Sequence, residues 1–210
     1  LKAAQKRTAK EEKGQPTSKD YGSLSVETKY QLDTTQYLKQ STPKDKIFIA
    51  VGFEERDDPK KIAETEGYLK KIEGKIGGVF TTTHPYGLEG EVAGQGSNKN
   101  WMVKHIVPQL QEQGIKIEDV FVTTLDADFV IHREFLAGAL HKYLSLPEAE
   151  RDKRTFTGVF LYHNNYWQTP TPMRLMATGT SFWQMAEMVG SDKYMNYSSM
   201  SISLSALLNI

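Results

Sequence analysis

The chain of 210 residues contains no cysteine. That excludes a disulfide scaffold, a thiolate metal site and a cysteine nucleophile. No apolar run reaches 18 residues, and the mean hydropathy is −0.51, so no transmembrane helix is predicted. Neither sign of charge is in excess, because 26 basic and 26 acidic residues cancel. The two signs are unevenly spread, with ten Lys/Arg against six Asp/Glu in residues 1–46 and sixteen against twenty in the remaining 164. The first segment is therefore net +4 and the rest net −4, and a mildly acidic globular part argues against nucleic acid held by phosphate contacts. No G-x-S-x-G elbow, phosphate loop or dinucleotide fingerprint occurs, and no signal-peptide pattern precedes the body of the chain. The first residue is Leu1, not Met, and we read the chain as a piece of a longer protein.

Hydrophobic residues make up 39%, enough for one sizeable domain and too little length for two. Residues 1–45 form a linker or edge segment, partly disordered or helical, in which Tyr37 and Leu38 are among the few apolar residues able to pack on a domain edge. Residues 46–210 form the domain. KIFIAVGF (46–53) reads as a strand buried on both faces. Asp58 and Pro59 then read as the cap and first residue of a helix whose inner stripe is Ile62, Leu69 and Ile72. GVFTTT (78–83) is a second strand, and residues 84–97 a glycine-rich loop ending at a helix capped by Ser97 or Asn98. That helix carries Trp101, Met102, Ile106 and Leu110 on one face and stops at Gly114. DVFVTTL (119–125) is a third strand, a helix spans about 133–144 with Phe135, Leu136, Leu140 and Leu144 spaced for burial, and RTFTGVFLYH (154–163) is a fourth strand. Strands alternating with helices predict crossover units, an α/β class and a mainly parallel sheet.

In such a sheet ligands gather at the carboxyl ends of the strands. Glu54 and Glu55 follow the first strand, and Asp126 and Asp128 follow the third. Two carboxylates at i and i+2 past a strand end suit Mg²⁺ or Mn²⁺, which keep waters and take substrate phosphates. Asp in this place also serves as a helix cap or turn residue. Gly96 and Asn98 lie where a helix N-terminus offers N–H groups to an anion. His163, Asn165, Trp167 and Gln168 mix rings with amides, a composition suited to sugars and equally to a structured loop. His132 reads as a residue of the following helix start, and the Met- and aromatic-rich stretch 173–200 as core or an interface.

The ordered set IFIAVGFEE (47–55), GEVAGQGSNKNW (90–101), VTTLDAD (122–128) and FTGVFLYHNNYWQTP (156–170) resembles the family 2 glycosyltransferases, in a membrane-associated, synthase-like bacterial branch. The resemblance implies a three-layer α/β/α Rossmann-like fold of the nucleotide-diphospho-sugar transferase type. It implies transfer of a sugar from a nucleotide-diphosphate sugar to a glycan or lipid-linked acceptor hydroxyl, with inversion as the usual outcome. By the same resemblance Asp126 and Asp128 hold the metal and the diphosphate, and Glu54, Glu55, Gly96 and Asn98 contact the donor. His163, Asn165, Trp167 and Gln168 then lie on the acceptor side. Gln95 stands where many members have Lys, and no acidic E-D or T-E-D motif for the catalytic base follows Asp128. We therefore expect an incomplete catalytic domain, truncated at the C-terminus, with its base downstream of Ile210. The full-length protein is expected at the cytoplasmic face of a membrane, anchored by segments outside this chain. A nucleotidyltransferase fits less well, since the first strand ends in acid where that class places Arg and Lys. A non-catalytic nucleotide-sugar- or glycan-binding remnant of the same fold is the other alternative.

Overall fold

The computed structural model describes residues 33–92, 94–126, 129–159, 161, 166–190 and 199–209. They form a mixed α/β structure whose elements run α1 (Thr35–Leu38), β1 (Phe48–Glu54), α2 (Pro59–Lys70), β2 (Gly78–His84), α3 (Gln95–Glu112), β3 (Phe121–Thr124), α4 (Phe135–Leu144), α5 (Glu148–Arg151), α6 (Thr171–Gly190), β4 (Met200–Ser203) and α7 (Leu204–Leu208). None of the described helices is long and apolar enough to cross a membrane.

Strands β1 and β2 pair in parallel from Phe48↔Gly78 to Glu54↔His84, with α2 as the crossover between them. The helix starts as its sequence predicts: the Asp58 side chain accepts the Lys60 N–H at 2.9 Å, and Pro59 occupies the first turn. Alternation along β1 sends Ile49, Val51 and Phe53 to one face and Phe48, Ala50, Gly52 and Glu54 to the other. Ile49 joins Ile47, Leu69, Ile72 and Ile76 in one apolar cluster, to which α1 adds Tyr37 and Leu38. The opposite face meets α3. Phe80 packs with Ile106, Leu110 and Leu204, and Met102, Val120 and Val122 close around them. The strand is not buried on both faces along its length as expected: Phe48 and Ala50 are exposed, and α3 covers that face closely at Gly52. At Gly52 a side chain would collide with the Asn98 amide and the Met102 thioether, so glycine there permits the close approach of α3 to the strand. Gly114, at φ 76°, turns the chain out of α3 in the left-handed region.

Several expectations need correction. The sheet is not mainly parallel among the described residues. Two two-stranded sheets are present, β1–β2 parallel and β3–β4 antiparallel. Strand β4 escaped notice because serines flank its single buried apolar residue, Ile202. Ser201 and Ser203 are almost fully buried, and their hydroxyls are spent on Thr123 Oγ1 at 2.8 Å and Asp152 Oδ1 at 2.6 Å. Within the expected strand 154–163, the described residues form only a single bridge, Phe156 to Ser201. Helix α4 starts at Phe135, and Leu144 is 52% exposed while its neighbour Tyr143 is buried. Tyr143 stacks on Phe121 instead, with ring centroids 4.8 Å apart. Helix α3 is capped at Gly94, before either Ser97 or Asn98.

Ile72 is fully buried between the end of α2 and the parallel pair. Ile72→Ala should therefore lower unfolding free energy by about 3 kcal/mol, measured by urea denaturation.

Candidate functional site

The carboxyl ends of β1 and β2 carry the most polar buried cluster. Register places Glu54 beside His84, on the α3 side of the sheet. The His84 ring is buried at 4% exposure, with Nδ1 3.3 Å from Glu54 Oε2 and Nε2 2.9 Å from Glu91 Oε2. Trp101 of α3 meets the ring edge-on at 5.5 Å. A single imidazolium between two carboxylates satisfies all three groups, each ring N–H donating to one of them. The hydrogen bond to Glu91 is the chief reason that the His84 pKa is raised. Burial opposes it, and the bond and charge of Glu54 add to the rise. The two ring nitrogens address different carboxylates, so this trio does not converge on a point. Among the described residues no group of three or more His, Asp or Glu has the geometry to hold a metal ion.

The neighbouring acids do different work. Glu55 accepts the Tyr86 N–H at 2.8 Å and so closes the β1 turn against the loop after β2. Asp57 accepts the Glu54 N–H at 2.8 Å. These are turn bonds, which leave Glu54 as the acid at this strand end that faces α3.

Beyond the loop containing Glu91, Gly94 and Gln95 open α3. Ser97 Oγ donates to the Val92 carbonyl at 2.5 Å. The Asn98 amide lies against Gly52, and its Oδ1 is buried without a partner among the described residues. It points at the strand rather than outward. Gly96 is exposed in the first turn. Gln95 Nε2 donates to Asp126 Oδ1 at 2.5 Å, and this bond brings the end of β3 to the N-terminus of α3. Asp126 is half-buried and forms no ion pair among the described residues. Among the described residues its side-chain partner is a neutral amide.

The structure thus brings Glu54, Gly96, Asn98 and Asp126 to one rim, through the packing of α3 on β1 and its bond to Asp126. Asp128, His163 and Asn165 lie outside the described residues, as does the side chain of Gln168. Trp167 belongs to a short 3-10 turn and is 82% exposed, with the Arg174 guanidinium 5.5 Å from its ring centre. Sequence reading missed His84 and Glu91. Their signal is the strand register that sets His84 opposite Glu54, and one sequence does not display register.

The raised pKa of His84 has a definite sign. A group bound more tightly as its protonated form contributes stability that is complete below the unfolded value of about 6.5. The contribution is lost as pH rises through the higher folded value. The excess stability of the native chain over His84→Gln should therefore be largest near pH 5.5 and shrink toward pH 9, measured by urea unfolding across that range. No family model, no curated protein and no solved structure matches this chain.

Proposed function

We propose that this chain is the donor-binding part of a glycosyltransferase, taking a nucleotide-diphosphate sugar with Mg²⁺ or Mn²⁺. The carrying observation is the Asp126 carboxylate after β3, in no ion pair among the described residues and held by Gln95 at the opening turn of α3, on the rim that also carries Glu54. Strand ends beside a helix N-terminus are where open α/β sheets take phosphates. The parallel pair with helices on both faces supports the three-layer, Rossmann-like form of the fold.

The residues suit the metal. Asp126 supplies a hard oxygen in no ion pair among the described residues, and Asp128 follows at i+2 in the sequence. Asp126 and Asp128 would hold the ion, which when bound neutralises the diphosphate and eases its departure. Glu54 borders the nucleotide side. The N–H groups of Gly96 and its neighbours in the first turn of α3 offer positive ends to phosphate oxygens. In the transfer an acceptor hydroxyl attacks the anomeric carbon, the bond from that carbon to the diphosphate oxygen breaks, and the nucleoside diphosphate departs. A base outside this chain takes the hydroxyl proton. The acceptor, a glycan or lipid-linked chain, approaches on the side of residues 163–170, where exposed Trp167 offers a ring face to a sugar. The many exposed apolar side chains of α6, among them Met176, Phe182 and Trp183, are in keeping with a membrane-associated full-length protein.

The test is calorimetric titration with UDP and with GDP, each in the presence of Mn²⁺. The native chain should bind one of them, and Asp126→Asn should lose the Mn²⁺-dependent heat. Equal binding by the variant would remove the basis for the assignment.

A further inference from the structure

We infer that residues 87–91, between β2 and α3, form a strap that the protonated His84 ring holds down across the carboxyl ends of β1 and β2, and that the neutral ring lets go. The strap borders the rim described above but stands apart from the donor reading.

The hold is geometric. Glu54 closes β1 and His84 closes β2, in register with each other. The imidazole is almost fully buried, with Nδ1 on Glu54 and Nε2 on Glu91. An imidazolium has two N–H groups and serves both carboxylates, whereas a neutral imidazole has one. Its bare nitrogen then turns a lone pair toward a carboxylate, where little water is present to soften the repulsion. One of the two glutamates must leave.

The fold selects Glu91. Glu54 belongs to the strand ladder, and its N–H is tied to Asp57 at 2.8 Å. Glu91 lies in a stretch that is neither helix nor strand, and its side chain is the more exposed, at 29% against 20%. The ends of that stretch are fixed. Upstream, Tyr86 gives its N–H to Glu55, and the Arg56 guanidinium lies 5.4 Å from its ring centre. Downstream, Ser97 Oγ donates to the Val92 carbonyl. Between them Gly87 and Gly90 take φ of 79° and 82°, values that glycine reaches without strain. Residues 87, 89, 90 and 91 are exposed and Leu88 is half-buried. Among the described residues the bond to His84 is the polar side-chain tie that joins 87–91 to the sheet.

The surroundings set the direction of the response. From β1 the charged group facing the ring is Glu54, and from the loop it is Glu91. From α3 the neighbour is the uncharged Trp101, on which His105 stacks with centroids 4.1 Å apart. No Lys or Arg pairs with His84, Glu54 or Glu91 among the described residues. Glu91 above all, and Glu54 after it, keep the proton on the ring beyond the ordinary value of about 6.5, against the effect of burial. The strap is therefore closed below that value and opens as pH rises through the higher one.

The chain has no cysteine, so Glu89→Cys takes a single nitroxide label on the strap. Its electron paramagnetic resonance spectrum should show a slowed component at pH 6 that is lost toward pH 9. The midpoint should lie above 6.5 and match the titration of the His84 ring followed by NMR. Adding Glu91→Gln should abolish the transition, because a glutamine amide can meet the ring in either charge state, and His84 should then titrate at lower pH. His105→Gln should leave the transition in place. A spectrum unchanged between pH 6 and pH 9, a transition that survives Glu91→Gln, or one lost in His105→Gln overturns the strap. If the labelled chain lacks native circular dichroism, the native chain decides: the NMR order parameter of the Gly90 N–H should fall with the same midpoint as the His84 ring, and a constant value overturns the inference.

Discussion

The apolar seam under α3 is the contact on which the arrangement depends. Phe80 from the parallel pair, Ile106 and Leu110 from α3, and Leu204 at the start of α7 close on one another. Neither sheet alone has enough strands to be stable in water. Burial of four such side chains is of the same order as the net stability of a whole domain. The seam also sets where α3 begins. With Ile106 and Leu110 seated on Phe80, the helix N-terminus must lie at the carboxyl ends of β1 and β2. Gln95 then meets Asp126 at that rim.

The rim collects negative charge, and the structure treats its carboxylates unequally. Glu54 and Glu91 share a buried histidine, which neutralises part of the charge where water is least able to screen it. Glu55 and Asp57 are occupied by backbone N–H groups. Asp126, half-buried, meets the Gln95 amide among the described residues.

Much of the core was legible in the sequence. The run 46–53, the Asp58-Pro59 helix start, GVFTTT and the face Met102–Ile106–Leu110 each carry a local signal that the fold respects, because apolar periodicity and capping act within a few residues. The turn acids were legible as a group but not by role. Nothing local distinguishes Glu55, tied to Tyr86, from Glu54, tied to His84. Strand β4 was not legible, since buried serines that satisfy one another's neighbours mimic a polar loop. Leu144, expected inside, is exposed, and Tyr143 is buried instead because Phe121 and Phe156 supply an aromatic niche that the spacing of α4 alone does not reveal.

Composition and short-range pattern, then, determined by themselves that this is a mixed α/β chain with acids at its strand ends and no apolar helix of membrane-spanning length in the described residues. They do so because periodicity, capping and charge are properties of neighbouring residues. Tertiary structure alone decided that β3 pairs with a late antiparallel strand and that His84 bridges two glutamates. It alone decided that Gln36 and Gln40 supply backbone partners to residues 129–136. Apart from His84 and Glu91, seven positions apart, those are contacts between groups 30 to 96 positions apart, and their partners are chosen by packing and by the need of buried polar groups for a mate, neither of which is written in any single stretch of sequence.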